Sequence, residues 1–165
     1  MEIKKMFLQE LDQEAENTRK MLQRIPDDKF EWQPHPKSMT LKRLANHIAE
    51  LPGWIQMILT TKELDFAKTP YEPNDYEDTA GLISFFEECL DNGKNQLKNA
   101  EESDFHDLWA LRAGDQIFTQ AEKWEMIRHT FCQIVHHRAQ LGVYFRLLDI
   151  PVPSTYGGSA DDPNF

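Results

Sequence analysis

Cysteine is scarce in this chain, which contains only Cys89 and Cys132 among its 165 residues. The two lie far apart in the sequence, and no further cysteines are present to build a disulfide framework or a cysteine-rich zinc site. Glycine and proline are also sparse, at 7 and 9 residues, which excludes collagen-like and low-complexity chains. The composition therefore predicts a protein with a packed core that suits a reducing compartment.

Long hydrophobic runs are absent as well. No stretch approaches the roughly 20 apolar residues that cross a bilayer, and Glu10 and Asp12 interrupt the region where a signal peptide needs an apolar core. Apolar residues still make up 40% of the chain, which is enough for a well-packed interior. No repeat, linker or composition shift divides the sequence. We therefore expect a cytoplasmic protein with a single domain over residues 1–165.

Positive charge is in deficit, because 18 lysines and arginines face 28 aspartates and glutamates, for a net charge of −10. Proteins that bind nucleic acid or anionic membrane surfaces derive much of their affinity from clustered positive charge. We therefore expect neither nucleic acid nor a membrane to be a partner.

Helical periodicity dominates what is present. Between Phe7 and Ile25, apolar residues recur every three or four positions, which predicts an amphipathic helix that Pro26 ends. A third helix is predicted over residues 79–100, where Asp78 or Thr79 caps the first turn.

The second predicted helix lies between these two. Its apolar stripe runs over residues 41–58, and Thr40 or Ser38 caps its start. Pro52 and Gly53 fall inside this stripe, and because proline removes one backbone donor, we expect them to kink or interrupt the helix.

The last third of the chain predicts a turn and then a long helix. Residues 108–118 change direction about Gly114 and Asp115, which indicates a short hairpin or an extended loop. Residues 119–122 have the form of a capping box for a fourth helix that continues to about Asp149. Prolines follow, so the sequence predicts an all-α fold, a four-helix bundle with an extended C-terminal tail.

Histidines lie on the apolar faces of two of these helices. His47 projects within the stripe of the second helix and His137 within that of the fourth, with Gln133 one turn before it. Two imidazoles bind a first-row divalent metal, although an amide oxygen is a poor third ligand for zinc, so that water or Glu50 would complete the site. The alternative is that each histidine is a core residue with one satisfied hydrogen bond.

Other polar residues of the fourth helix fit such a site poorly. His129 lies eight residues before His137, about 12 Å along the helix axis, so the two cannot share one ion. His136 diverges from His137 by about 100°. We interpret His136 and Arg138 as surface or interface groups.

Several segments together resemble the DinB family, and they cover essentially the whole chain. They are residues 14–19, 25–30, 37–41, 44–54, 136–141 and 151–157. The resemblance implies a DinB/YfiT-like four-helix bundle, often dimeric. It also implies three histidines that bind a divalent metal such as zinc or nickel. His47 and His137 match two of these positions, whereas the third holds Gln133.

Relatives of known activity in this family include S-transferases that act with small cytosolic thiols. The resemblance therefore implies a metal-dependent S-transferase or hydrolase that acts on a small molecule, with a low-molecular-weight thiol as partner and a homodimer as its assembly. Glu50 is a candidate proton-accepting or second-layer group beside the metal. The alternative is a non-catalytic bundle that binds a small molecule or a partner protein and has a degenerate metal site, with Gln133 in place of the third histidine.

Overall fold

The computed structural model describes residues 2–69 and 72–163, and within them the chain forms four α-helices. These are α1 (Ile3–Leu22), α2 (Leu41–Thr60), α3 (Thr79–Asn99) and α4 (Lys123–Leu147). Helix α2 packs against both α3 and α4, and α1 packs against the same two helices from the other side. No helix in this part of the chain is both long and apolar enough to cross a bilayer.

A small sheet accompanies the helices, so the prediction of an all-α fold is wrong in this respect. Its strands are β1 (Glu63–Asp65), β2 (Leu108–Ala113) and β3 (Gln116–Glu122), in the order β1-β2-β3. Strand β1 runs parallel to β2, and β2 pairs with β3 in an antiparallel hairpin. The hairpin turns at Gly114, whose φ of 57° favours glycine, as the sequence predicts.

Two of the predicted helix starts are confirmed. The Thr40 hydroxyl accepts a hydrogen bond from the backbone N–H of Arg43 at 3.2 Å, and the Asp78 carboxylate accepts one from the N–H of Gly81 at 2.8 Å. Each cap satisfies a backbone donor that the first helical turn leaves without an intrahelical partner.

The predicted start of the fourth helix is wrong. Thr119 pairs with Leu111 in the hairpin, so its backbone is extended and cannot begin a helix. The capping box lies three residues later, where the Glu125 carboxylate accepts from the backbone N–H of Glu122. Strand pairing, which a local motif does not register, moves the helix start to Lys123.

Helix α2 continues through Pro52 without interruption, and the chain there is tightly packed against α3. A Cβ atom added at Gly93 would lie only 2.3 Å from the Pro52 carbonyl oxygen. At Gly53, a Cβ atom would meet the Cys89 sulfur at 3.4 Å. The two glycines therefore allow the α2 and α3 backbones to approach closely.

Arg138 is buried, so its interpretation as a surface group is wrong. Its Nη2 atom lies 2.7 Å from the Glu14 carboxylate of α1, and its Nη1 atom donates to the Thr18 hydroxyl at 3.1 Å. The Tyr156 hydroxyl of the C-terminal tail donates to the same carboxylate, and burial raises the Tyr156 pKa to about 12. An acidic partner on another helix, which periodicity does not register, draws this cation into the core.

Candidate functional site

One face of α2 lines a cavity of about 320 Å³. Arg43, His47, Glu50 and Trp54 follow one another at spacings of four, three and four residues, which places them on the same side of a helix. Opposite them lies His137 of α4. Among the described residues, the cavity is lined by Met39, Arg43, His47, Glu50, Trp54, Phe66 and His137.

The two histidines that the sequence singles out meet in this cavity. The centroids of the His47 and His137 rings are 4.6 Å apart, and the ring planes are inclined by 75°. Imidazoles that bind one metal ion at the usual metal–nitrogen distance have ring centroids roughly 4.5–5.5 Å apart. The His137 residue is 9% exposed, and the His47 side chain is 23% exposed. The pair is therefore close enough to grip one ion and open enough to admit it.

Each ring is oriented by an acceptor on its own helix. His47 Nδ1 lies 2.6 Å from Glu50 Oε1, and His137 Nδ1 lies 2.9 Å from Gln140 Oε1. The Gln140 amide is held in turn by a 3.1 Å contact from its Nε2 to His136 Nε2. Both Nδ1 atoms face oxygens that accept hydrogen bonds, and a neutral ring that donates from Nδ1 keeps its lone pair on Nε2. Metal-binding histidines in proteins are commonly prepared in this way.

Burial lowers the pKa of His137 below its ordinary value, and the neighbouring rings of His47 and His136 lower it further. The hydrogen bond to Gln140 raises the pKa and is the second-largest influence, smaller than burial but larger than either neighbouring ring. The lowered pKa favours the neutral form of His137, which is the form that ligates a metal.

The structure does not bring Gln133 into the cavity. Its side-chain Nε2 lies 3.3 Å from His129 Nε2, one turn earlier on α4, and the residue is absent from the lining. Within residues 2–69 and 72–163, no cluster of three or more histidine, cysteine, aspartate or glutamate side chains has the geometry of a metal site. The side chains present therefore fit a centre with two protein nitrogen donors, whose other positions are open. Gln133 as a third ligand stays a prediction.

Glu50 contacts the predicted site through His47. Its carboxylate accepts from His47 Nδ1 and lines the cavity, with the side chain 15% exposed. The Trp54 indole and the same imidazole pack at a steep angle, with 6.0 Å between ring centroids and 77° between ring planes. Glu50 is thus placed to orient His47, and its role as a proton acceptor stays a prediction.

Reasoning from the sequence missed two residues that line the cavity, Arg43 and Phe66, and one that orients His137, Gln140. Gln140 and Arg43 carry a usable signal, because they lie three residues after His137 and four residues before His47 on the same helix faces. Phe66 carries none. It follows β1, its N–H donates to the Arg112 carbonyl at 3.0 Å, and its ring packs against Phe118 of β3. The sheet therefore supplies one wall of the cavity.

Comparison with known families identifies the family and the fold of this chain. A sequence model of the DinB family matches residues 1–164. The chain belongs to the DinB family. Its fold is similar to that of a DinB-like protein from Bacillus subtilis, with a TM-score of 0.69 and 14% identity over 87% of this chain and 92% of that one. A DinB-like protein from Bacillus cereus is also similar, with a TM-score of 0.68 and 21% identity over 91% and 95% of the two chains.

A third similar structure belongs to a protein whose reaction is known. This is a mycothiol-dependent maleylpyruvate isomerase, with a TM-score of 0.60 and 12% identity over 84% of the DinB chain and 60% of the isomerase. Likeness at this level shows a shared fold alone. A comparison with curated protein sequences finds no match. The activity of this DinB protein must therefore be argued from its cavity.

Proposed function

We propose that this DinB protein is a divalent-metal-dependent enzyme that uses a small thiol to transfer a group, or water to hydrolyse a bond, in a small molecule. The ion, zinc or nickel, would be held by His47 and His137. One observation carries the proposal: the two rings lie 4.6 Å apart, and both Nδ1 atoms are occupied by acceptors. Two lone pairs therefore remain for a common ligand.

The residues of the cavity have distinct parts in this proposal. A divalent ion at His47 and His137 would supply Lewis acidity, which lowers the pKa of a thiol or of water. Glu50 holds the proton of His47 at Nδ1 and so fixes which nitrogen faces the cavity. Trp54, Phe66 and Met39 provide apolar walls that bind the body of a substrate and limit access of water.

Thiol dependence is supported by the fold. The isomerase that shares this architecture is mycothiol-dependent, and mycothiol is a small thiol. A cavity with two nitrogen donors and open positions is also suited to a thiolate, which is a ligand that zinc prefers. These arguments favour transfer over hydrolysis. A homodimer and a cytoplasmic location remain predictions from the sequence.

Metal analysis of the purified protein tests the proposal. We expect protein prepared without a nickel column to take up about one zinc or nickel ion per chain, since two oriented imidazoles are available. The His137→Ala variant should bind the ion at least about 100-fold more weakly, because one of the two nitrogen donors is lost. Isothermal titration calorimetry of chelator-treated protein measures both affinities.

His129→Ala is the matched control, because it removes an exposed histidine from the same helix, eight residues away from the cavity residue. It should retain the affinity of the unaltered protein. The proposal is contradicted if the unaltered protein, His137→Ala and His129→Ala bind the metal with equal affinity. It is also contradicted if neither added metal nor chelator changes the melting temperature of the unaltered protein.

A second candidate function rests on Gln133. Its amide contacts His129 rather than the cavity, which favours a non-catalytic bundle whose metal site is degenerate. The Gln133→His variant separates the two candidates. If the unaltered protein binds no metal and the variant does, the degenerate site is favoured. If both bind and the variant binds about tenfold more tightly, the enzyme is favoured, because imidazole suits these ions better than an amide.

A further inference from the structure

Arg43 is the arginine whose charge has no partner within the described chain. Its backbone N–H bonds to Thr40, but no ion pair or side-chain hydrogen bond joins its guanidinium to residues 2–69 or 72–163. Arg24 donates to a backbone carbonyl. The remaining arginines, each paired with a carboxylate, are Arg19, Arg112, Arg128, Arg138 and Arg146. An unpaired arginine is therefore unusual in this acidic protein.

The side chain of Arg43 lies where its charge can contact a ligand in the cavity. Its side chain is exposed and lines the cavity that contains His47 and His137. The neighbouring cation, Lys42, turns elsewhere and pairs with Asp75. Glu31 and Asp75 line an adjoining hollow that Arg43 also borders, yet neither forms an ion pair with its guanidinium.

The distance between Arg43 and His47 along α2 sets the length of a ligand that could contact both residues. Arg43 lies one turn before His47, which corresponds to about 6 Å along the axis of α2. A guanidinium presents a planar pair of donors that matches a carboxylate. Apart from the histidines, the charged groups that line the cavity among the described residues are Arg43 and Glu50. Their charges balance one another, which favours a monoanion over a phosphate dianion.

We propose that the cavity binds a small carboxylic acid whose carboxylate pairs with Arg43 and whose other end lies at His47 and His137. The assignment of that other end as the reacting end rests on the proposed function. The pairing with Arg43 does not, because it requires no metal. The apolar walls formed by Met39, Trp54 and Phe66 contact the carbon skeleton between the two ends.

Two probes of equal shape test this assignment on chelator-treated full-length protein. 3-Phenylpropionate carries a carboxylate, and 3-phenylpropionamide replaces it with a neutral amide. We expect the carboxylate to bind about tenfold or more tightly, because it forms charge-assisted hydrogen bonds with Arg43. Titrations followed by NMR give both affinities, and the indole N–H of Trp54, assigned with a Trp54→Phe variant, should shift when either probe enters the cavity.

The Arg43→Met variant should bind the two probes about equally, and Arg43→Lys should keep only part of the preference, because lysine lacks the planar fork. Lys42→Met is the matched control: it removes the same charge from the adjacent position and should keep the full preference. Melting temperatures establish that each variant is folded.

The outcomes separate this inference from the proposed function. A carboxylate preference that survives Arg43→Met overturns the inference, as does equal or undetectable binding of the probes by the unaltered protein. If the preference depends on Arg43 but no metal binds to the chain, the carboxylate site stands and the metal-dependent function falls. If metal binds but the preference for the carboxylate probe does not depend on Arg43, the metal-dependent function stands and the carboxylate site falls.

Discussion

The Arg138→Met variant is expected to lose about 3–5 kcal/mol of its free energy of unfolding. The Arg138 side chain is 4% exposed and that of Glu14 is 8% exposed, so the ion pair lies in the core. Methionine fills similar space but leaves the Glu14 carboxylate without its compensating charge. A buried unpaired carboxylate is costly because the interior cannot solvate it.

Urea unfolding followed by circular dichroism measures this loss, and Arg128→Met is the control. Arg128 pairs with Glu10 across the same two helices, but its side chain is 46% exposed, so we expect a change of at most about 1 kcal/mol. The double variant Glu14→Leu/Arg138→Met should recover much of the stability, because no charge is left uncompensated. A loss below about 1 kcal/mol in Arg138→Met would refute the argument.

This ion pair also matters for the candidate site. Arg138 follows His137, and residues that are adjacent on a helix point about 100° apart. When Arg138 turns toward Glu14 of α1, the rotation of α4 directs His137 toward α2 and His47. The C-terminal tail joins the same cluster through Tyr156, whose ring lies 5.2 Å from the Arg138 guanidinium carbon.

The Gly93→Ala variant is expected to be destabilised by about 2–3 kcal/mol, even though alanine favours helix formation more than glycine does. The added Cβ would lie 2.3 Å from the Pro52 carbonyl oxygen, a contact that only a shift of the α2 or α3 backbone can relieve. For a chain of this size, the melting temperature should fall by about 5–10 °C. Differential scanning calorimetry measures the change.

Gly142→Ala is the matched control, because Gly142 also lies inside a helix. Its added Cβ would meet Met21 at 3.7 Å and Val152 at 3.9 Å, which are ordinary contacts. We expect this variant to gain about 0.5–1 kcal/mol from the higher helix propensity of alanine. Gly93→Ala as stable as Gly142→Ala would show that α2 and α3 are not in close contact at Pro52.

Secondary structure could be predicted from the sequence where it depends only on residues close together in the chain. The stripes of α1 to α4, the caps at Thr40 and Asp78, and the hairpin turn at Gly114 all depend on residues near one another in sequence. The DinB resemblance is confirmed by the family match. The false capping box at Thr119 shows the limit, because pairing with Leu111 keeps that segment extended. The sheet itself was missed because β1 joins β2 across more than forty residues.

Some features of the candidate site could likewise be predicted from the sequence, and others could not. Helical periodicity indicates which way His47 and His137 point from their own axes, so their placement on apolar faces could be argued from sequence. It does not say which partner each side chain finds. Gln140 and Glu50 as ring acceptors, Gln133 beside His129, and Phe66 in the cavity wall therefore emerged only from the folded chain.

The sequence by itself determined four amphipathic helices, their principal caps, and the presence of one histidine on the buried face of each of two helices. Tertiary structure alone decided that these histidines face each other across a cavity and that Arg138 belongs to the core. It also decided that Arg43 borders this cavity with no carboxylate partner among the described residues. The physical reason is that helix periodicity defines directions around a single axis. Which axes lie side by side, and at what rotation, depends on close packing and charge pairing between segments far apart in the chain.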